Sequence, residues 1–450
     1  MLDIRFIREN AEQVAEKSKQ KGYNVDISKL LELDEQRRQL ISNIETVQAE
    51  RNKVSTFVHG EQPSPSKIEA GRELKEKQFK IEQDFIRVDE EYWKLLKAVP
   101  NMPTDDVPVG ASETENKDVK HWPKDDKKPQ FDFKPKTHWE IGENRGWIDK
   151  ERAAKVAGSR FAYLKGDLVK LQFALIQFVI DTLTNEETLK KIIQDSGLKN
   201  VSSNPFIPVL PPLMIRTEVF DAMDRLEPRE ERYEVGSDED NLWLQGSAEH
   251  TLGSMHMGEL LPLDDMPVRY LGYATSFRRE AGTYGKDTEG IIRMHQFDKL
   301  EMESFTIPQA GLSEHLFMIA IQEYILQALE IPYRVLLKCT ADIGKPNARG
   351  VDLEAWLPGN DRYLETHTAD YMTDYQARRL NTKFKRVPPP GVMLTYDTNN
   401  PPTDFAHTND ATALAMGRTM VAIIENFQSA DGKVAVPKAL QSYMHGQTTL

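Results

Sequence analysis

Apolar residues recur every three or four positions in the first hundred residues, which is the spacing of one face of an α-helix. The first stripe comprises Leu30, Leu33, Leu40, Ile44, Val47, Val54 and Val58. The second comprises Leu74, Ile81, Phe85, Val88, Tyr92, Leu95 and Val99. Arg37 and Arg51 occupy the two seam positions of the first stripe that lack an apolar residue. The pattern predicts two antiparallel helices of about 30 residues, each about 45 Å long.

The two stripes are separated by the segment from Gly60 to Ser66, which contains Pro63 and Pro65. We predict a helical hairpin, because these prolines interrupt the hydrogen bonding of a continuous helix. Acidic and basic residues roughly balance along both stripes. The stripes alone therefore favour a dimerisation or spacer coiled coil over an RNA-binding arm, and both interpretations stay open.

From Pro100 to Lys136 the chain is rich in Pro, Asp, Lys and Thr and shows little apolar periodicity, which is typical of a linker. We therefore predict an N-terminal domain over residues 1–100, a linker over 101–136 and a second domain over 137–450. Beyond the linker, helical and strand-like patterns alternate. They predict a helix over Asp167 to Asn185, a strand ending at Pro211 and Pro212, paired strands over Val268 to Thr306, a helix near Leu312 to Glu330 and a final helix over Ala411 to Phe427.

These elements predict an α+β second domain, with an antiparallel sheet flanked by helices. The sequence contains neither GxxxxGK[ST] nor GxGxxG, which argues against a P-loop or Rossmann nucleotide site. Cys339 is the only cysteine, so intrachain disulfides and thiolate zinc clusters are excluded.

The composition, 39% apolar and 29% charged residues, is that of a globular protein without a membrane-spanning segment. The N-terminus resembles neither a secretory signal nor a transit peptide, so we expect a cytoplasmic protein. The net charge of −13 argues against coating nucleic acid by bulk electrostatics, and we expect no DNA partner. Any RNA would bind through a restricted basic patch and through its shape.

The densest chemistry lies in FRREAGTYGKDTEGIIRMHQFDKLE, from Phe277 to Glu301. Its ends are typical of strands and its glycine-rich middle of a loop. Alternation predicts that Arg278 and Glu280 share one face of the first strand, and that Arg293, Phe297 and Glu301 share one face of the second. A cation, an aromatic ring and a carboxylate suit a phosphate, a purine and an ammonium or hydroxyl group. A solvated hairpin with a cross-strand ion pair is the alternative.

This block resembles motif 2 of class II aminoacyl-tRNA synthetases in its seryl form, in which FRxEAG, a glycine-rich loop and RxHQFxKxE follow one another. The resemblance extends over almost the whole chain. It includes PNMPTDDVPVG, HWEIGE, GSRFAYLKGDLVKL, VDLEAWLPG, RYLETHTADYMTDYQARR and GRTMVAIIENFQSADGKVAVPKAL. It implies activation of L-serine by ATP and transfer of serine to the 3′ end of serine tRNA, with selenocysteine tRNA as a possible second substrate.

The resemblance also implies residue roles. Arg278, Glu280 and Arg418 would be catalytic, and Glu365 and Thr368 would hold Mg²⁺. The expected ATP-binding residues are Arg278, Glu280, Arg293, Met294, Phe297, Glu365, Thr366, His367, Thr368 and Arg418. Three-residue spacing would put Glu365 and Thr368 on opposite faces of a regular strand, so their shared role requires a bulge or a turn.

For serine, the resemblance implies binding by Ser247, Glu249, Arg278, Glu301 and Thr412. Two positions depart from the family pattern: Ser247 replaces the usual threonine, and Asp410 stands where an asparagine is common. Both departures put the tightness of amino-acid selection in doubt more than the reaction itself.

In the resembling family the hairpin reaches across a homodimer to the long variable arm of serine tRNA. The resemblance therefore favours the RNA-binding interpretation of the hairpin. The candidate contacts are Arg38, Arg51, Lys53, Arg72, Lys75 and Lys80, although Arg51 also suits seam packing. Relatives that load amino acids onto carrier proteins lack the long arm, so the intact double stripe from Leu30 to Val99 argues against such a function. A non-catalytic paralogue is disfavoured because Arg278, Glu280 and Arg418 are present.

Overall fold

The computed structural model describes residues 1–55, 64–237, 239–280, 290–386 and 402–450. These residues form two compact units, Met1–Met102 and Pro103–Leu450. Among them, no helix combines the length and the apolar character that crossing a bilayer requires.

The first unit consists of helices α1 (Ile4–Glu9), α2 (Ala11–Gln20), α3 (Ile27–Ser55) and α4 (Pro65–Ala98). The two long helices α3 and α4 pack along each other, which confirms the predicted hairpin. Leu30, Leu33 and Val47 on α3 and Val88 and Tyr92 on α4 are buried, as the apolar stripes predict. Each Å² of apolar surface that is buried stabilises the structure by about 25 cal/mol, and this burial holds two such amphipathic helices together.

Arg37 fills its seam position by contacts with the opposite helix. Its guanidinium lies 5.6, 5.2 and 5.9 Å from the ring centroids of Phe85, Tyr92 and Trp93, and its Nε donates to Asp89. The cation is thus accommodated among aromatic rings and a carboxylate instead of an apolar partner.

Helix α4 begins inside the segment predicted to be non-helical. The Ser64 side chain accepts a hydrogen bond from the backbone N–H of Lys67, and Pro65 occupies the first helical turn, where no N–H partner is needed. The predicted break from Gly60 to Ser66 is therefore wrong for Pro65 and Ser66, and Gly60 to Pro63 lie outside the described residues.

The helices of the second unit are α5 (His138–Asn144), α6 (Lys150–Ala157), α7 (Asp167–Leu183), α8 (Glu186–Ser196), α9 (Thr217–Ala222), α10 (Glu249–Leu252), α11 (Gly311–Ala328), α12 (Tyr375–Leu380), α13 (Met416–Asn426) and α14 (Lys438–Gln441). Its strands are β1 (Lys117–Trp122), β2 (Ile148–Asp149), β3 (Tyr163–Leu164), β4 (Ile207–Val209), β5 (Met214–Arg216), β6 (Tyr233–Val235), β7 (Leu242–Leu244), β8 (Leu260–Leu261), β9 (Val268–Phe277), β10 (Gln296–Thr306), β11 (Tyr333–Leu337), β12 (Arg349–Leu357), β13 (Arg362–Thr373), β14 (Lys383–Lys385), β15 (Thr403–Phe405) and β16 (His407–Ala415).

The main sheet has eight described strands in the order β1-β11-β12-β13-β16-β10-β9-β4. Neighbouring strands are antiparallel except β4 and β9, which run parallel. Helix α11 packs against β13 and β16, and α13 packs against β10 and β12. The predicted α+β class, an antiparallel sheet flanked by helices, is confirmed.

One predicted helix boundary is wrong, and the predicted linker contains a strand. Residues Ala411 to Ala415, predicted as helix, belong to β16, and α13 begins only at Met416. Alanine and leucine favour helices by propensity, but here they belong to an interior strand whose residues are mostly buried. The predicted linker 101–136 contains β1, which pairs with β11 at the sheet edge. Its exposed and half-exposed side chains lack the apolar alternation that would have predicted a strand.

Candidate active site

Strand β10 carries the candidate chemistry at the centre of the sheet, because it pairs with β9 on one side and β16 on the other. Strand β9 ends at Phe277, so Arg278 and Glu280 follow the strand instead of sharing one of its faces as predicted. The Arg278 N–H still donates to the His295 carbonyl at 3.1 Å. Glu280 has a φ of 52°, in the left-handed region.

Arg293 also precedes its strand, because β10 begins at Gln296, so the predicted shared face holds for Phe297 and Glu301 alone. Gly290 adopts a φ of 62° where the described chain resumes. A Cβ at this position would lie 1.9 Å from Nε2 of His138, so only glycine fits. The predicted glycine-rich loop between the strands, residues 281–289, lies outside the described residues.

Side chains from these segments and from β13, β16 and α13 line one cleft of about 660 Å³. The lining residues are Arg278, Glu280, Ile291, Ile292, Arg293, Met294, Phe297, Lys299, Glu365, Thr366, Thr368, Thr412, Ala415, Gly417 and Arg418. The structure thus brings together every residue predicted to bind ATP except His367. That imidazole is fully buried, and burial lowers its pKa to about 3, so it stays neutral behind the cleft wall.

Three guanidinium groups converge on the cleft. Arg278 Nε donates to the Gly246 carbonyl at 3.0 Å, and its guanidinium carbon lies 5.5 Å from the Phe297 ring centroid. Arg418 donates to the Glu365 carbonyl oxygen at 2.8 Å and pairs with the Glu365 carboxylate at 3.1 Å. Arg293 pairs with Glu280 at 3.1 Å. Planar cations that converge on an open cleft beside an aromatic ring suit a nucleotide polyphosphate.

The bulge that Glu365 and Thr368 require is present in β13. Opposite β12, Glu365 pairs with Glu354 and His367 pairs with Leu353, so Thr366 is the extra residue. This insertion changes the side-chain alternation, and Glu365 and Thr368 both line the cleft. The Thr366 hydroxyl donates to the Leu353 carbonyl at 3.2 Å, which ties the bulge to the sheet.

Four of the residues predicted to bind serine form a buried polar cluster next to the cleft, here called the pocket: Ser247, Glu249, Glu301 and Thr412. The fifth, Arg278, lines the cleft itself. Ser247 Oγ donates to Glu301 Oε2 at 2.8 Å, and the fully buried Glu301 lies opposite Thr412 in the register of β10 and β16. Glu249 accepts from Arg225 Nε at 2.7 Å. The pocket is therefore a set of carboxylates and hydroxyls removed from water, which is costly unless each group has a partner.

Two cations of this pocket were missed by the sequence prediction. Lys299 contacts Glu301, and its position two residues from both Phe297 and Glu301 could have revealed it by strand alternation. Arg225 lies far away in sequence and carries no local signal. It bonds to Glu249, donates to Asn347 at 3.2 Å and approaches Asp410 to 3.8 Å.

Asp410 is buried beside other carboxylates. Burial, followed by the charges of Glu249 and Asp370, raises its pKa well above the usual range. Burial and the charge of Asp410 likewise raise the pKa of Glu303, its cross-strand neighbour. Both shifts favour the protonated form of these carboxyl groups over that of an ordinary exposed carboxyl, which limits the negative charge beneath the pocket.

Known proteins share this fold. The family model of the tRNA synthetase class II core domain (G, H, P, S and T) matches residues 233–427. This range contains β9, β10, β13, β16 and the cleft-lining arginines. The second unit is therefore a class II aminoacyl-tRNA synthetase core.

The model of the seryl-tRNA synthetase N-terminal domain matches residues 1–103. The serine–tRNA ligase of Geotalea uraniireducens is 38% identical over 449 residues, which cover 99% of each chain. The crystal structure of the Pyrococcus horikoshii seryl-tRNA synthetase complexed with ATP superposes with a TM-score of 0.85 at 34% identity, covering 100% of this chain and 99% of that one. The cytoplasmic serine–tRNA ligase of Naegleria fowleri in complex with AMP gives a TM-score of 0.81 at 27% identity, covering 100% and 98%. The chain belongs to the seryl-tRNA synthetase family of class II serine–tRNA ligases.

Proposed function

We propose that the cleft binds ATP and that the buried pocket binds L-serine, so that seryl-adenylate forms where the two meet. The observation that carries this assignment is their junction at Lys299 and Thr412. Both residues line the cleft, Lys299 contacts the pocket carboxylate Glu301, and Thr412 lies opposite it on β16. The carboxylate of a serine bound in the pocket would therefore lie next to a phosphate of an ATP bound in the cleft.

In this proposal Phe297 stacks on adenine, the Met294 backbone contacts its edge and Glu280 contacts the adenosine side of ATP. Arg278 binds the α-phosphate, while Arg293 and Arg418 bind the outer phosphates. Their present partners support these roles: Arg293 and Arg418 pair with carboxylates of the cleft itself, which phosphate oxygens can replace. The imidazole of His367, also predicted to bind ATP, lies buried outside the cleft lining.

The activation step needs no general base, because the serine carboxylate is already ionised. One carboxylate oxygen forms a bond to the α-phosphorus, the α–β phosphoanhydride bond breaks and pyrophosphate leaves. Arg278, a permanently charged planar donor, stabilises the charge that builds on the α-phosphate oxygens. The terminal ribose hydroxyl of the tRNA then attacks the seryl carbonyl, and AMP is the leaving group.

Glu365 and Thr368 fit a role as Mg²⁺ ligands. Mg²⁺ prefers oxygen ligands and is commonly held by one or two protein groups together with substrate phosphates. The β13 bulge presents one carboxylate and one hydroxyl to the cleft, beside the arginines assigned to phosphate. When bound, the ion would neutralise charge on the phosphate oxygens.

Serine would be selected by its hydroxyl and ammonium groups. Ser247, Glu249, Glu301 and Thr412 are all at least nine-tenths buried. A substrate that lacks the hydroxyl leaves such groups without a partner, which costs about 1–3 kcal/mol for each group. Alanine should therefore be rejected by unpaired polar groups, and threonine by the limited space around its extra methyl group.

For the helical hairpin we propose binding to serine tRNA through its long variable arm, within a cytoplasmic homodimer. The match of residues 1–103 to the seryl-tRNA synthetase N-terminal domain supports this role. Selenocysteine tRNA is proposed as a second substrate on the same grounds. The candidate contacts remain Arg38, Arg51, Lys53, Arg72, Lys75 and Lys80, among which Arg38 pairs with Glu35 on its own helix.

The division between cleft and pocket can be tested with two substitutions that serve as each other's control. Phe297→Ala should raise the KM for ATP about tenfold through lost stacking, with less than about a threefold change in the KM for serine. Thr412→Ala should raise the KM for serine about tenfold, with less than about a threefold change in the KM for ATP. Both constants come from serine-dependent ATP–pyrophosphate exchange. Equal effects of each variant on both substrates would contradict the assignment.

A further inference from the structure

Lys299 occupies the boundary between the ATP cleft and the amino-acid pocket. Alternate residues of a strand project to the same side, so Lys299 shares the face of β10 that carries Phe297 and Glu301. Its ammonium contacts Glu301 Oε2 and lies 3.4 Å from Ser247 Oγ. The side chain is almost fully buried, yet it also contributes to the cleft lining.

Glu301 depends on this cation. Its side chain is fully buried, and burial raises the pKa of the carboxyl, whereas the Lys299 ammonium and the Ser247 hydroxyl lower it. Both of these partners use Oε2. Among the residues that the structure describes, Oε1 has no hydrogen-bond partner. An unpaired oxygen on a buried carboxylate is costly unless a ligand completes it, which indicates that Oε1 is available to substrate.

The second pocket carboxylate has a comparable partner. Glu249 is paired with the Arg225 guanidinium at 2.7 Å, with both side chains largely buried. Each of the two carboxylates thus has its own cation before a substrate enters. Serine, whose ammonium and carboxylate sum to zero charge, would add no net charge to this pocket.

We propose that Lys299 is a positioning residue for serine recognition, which orients the Glu301 side chain so that Oε1 can receive a substrate group. This inference rests on the proposed serine site. It differs from two other roles for a lysine at this place: a direct ligand of the ATP phosphates, and a purely structural ion pair. These three roles predict different changes in the two Michaelis constants.

The test compares Lys299→Met, Lys299→Gln and Lys299→Arg with wild type in ATP–pyrophosphate exchange. We expect Met and Gln to raise the KM for serine about 30-fold and the KM for ATP less than about threefold, and Arg to restore the KM for serine to within about fivefold. Lys433→Met is the matched control, because Lys433 is exposed and pairs only with a surface carboxylate among the described contacts.

A second arm asks whether Lys299 acts through Glu301. In a Glu301→Gln background, Lys299→Met should change the KM for serine by less than about threefold, because its partner charge is already gone. An undiminished effect in that background would overturn the proposal, as would a rise in the KM for ATP that equals or exceeds the rise for serine. Loss of thermal stability with both Michaelis constants unchanged would show a structural ion pair and also overturn it.

The proposal and the serine site on which it rests fail in different ways. If wild type shows no serine-dependent exchange, the proposed function is wrong. If wild type exchanges with serine while the Lys299→Met and Lys299→Gln variants keep a normal KM for serine, only the role of Lys299 is wrong. Two neutral replacements of different shape, Met and Gln, guard against a variant that does not fold.

Discussion

The helical hairpin and the core of the catalytic unit use charged residues differently. Along much of the hairpin, cations pair with acids on the same helix while both remain exposed, as Arg72 and Glu76 do at 3.8 Å with 74% and 68% of their side chains accessible. Such pairs contribute about 0–1 kcal/mol. In the core of the catalytic unit several ion pairs are buried, as Arg269 and Glu314 are at 2.5 Å. A buried ion pair fixes where its side chains lie, so residues near a site can be assigned from the structure. An exposed ion pair on the hairpin can exchange its acid for an RNA phosphate, so the structure does not distinguish one candidate RNA contact from another.

The largest expected effect separates the two units completely. Deleting Met1–Met102 should abolish charging of serine tRNA while serine-dependent ATP–pyrophosphate exchange continues, because the cleft and pocket residues all belong to the second unit. Charging and exchange are measured on the same preparation. Charging at the wild-type rate by the truncated chain would show that the hairpin is not the tRNA-binding element.

Within the catalytic unit, Arg278→Ala should lower the exchange rate about 10²–10³-fold, as expected when one donor to a developing charge is removed. Arg278→Lys should recover only part of the loss, because an ammonium lacks the planar fork. The control is Arg386→Ala, since Arg386 is exposed and pairs with Asp404. If the alanine variant stayed within tenfold of wild type, Arg278 would not be the α-phosphate ligand.

The buried carboxylates predict a dependence of stability on pH. The pKa of Glu303 is raised in the folded chain, so the folded state binds more protons than the unfolded state above the ordinary pKa of about 4.5. Stability should then fall as pH rises through this window, by at most about 1.4 kcal/mol per pH unit for one group.

Glu303→Gln replaces the titrating carboxyl by a neutral amide and should flatten the curve of unfolding free energy against pH above the ordinary pKa of about 4.5, as measured by denaturant unfolding. Glu234→Gln, at an exposed position of β6, is the matched control and should leave the curve unchanged. A variant curve as steep as that of wild type would show that Glu303 is not protonated in the folded chain.

The smallest effect is expected in the hairpin. Lys75→Ala or Lys80→Ala should each raise the KM for tRNA about two- to fivefold. Each should also reduce the salt dependence of that KM, because it removes one lysine that would neutralise an RNA phosphate. Exchange without tRNA should be unchanged. A change of exchange rate equal to the change of charging would place the effect in the catalytic unit instead.

The sequence was informative where local periodicity or motif spacing decides the structure. The three- and four-residue spacing predicted α3 and α4, and the three-residue interval between Glu365 and Thr368 required the bulge that β13 contains. It was uninformative where long-range packing decides. Ala411 to Ala415 favour helix locally but lie between β10 and β13, and Arg225 meets Glu249 and Asp410 only through the fold.

The most direct test of the account is ATP–pyrophosphate exchange by the wild-type chain with serine, alanine, threonine and glycine in parallel. We predict exchange with serine, and values of kcat/KM for the other three that are lower by at least about 10²-fold. Alanine or threonine exchange equal to serine exchange would contradict the role assigned to the pocket of Ser247, Glu249, Glu301 and Thr412. Absence of serine exchange would contradict the account as a whole.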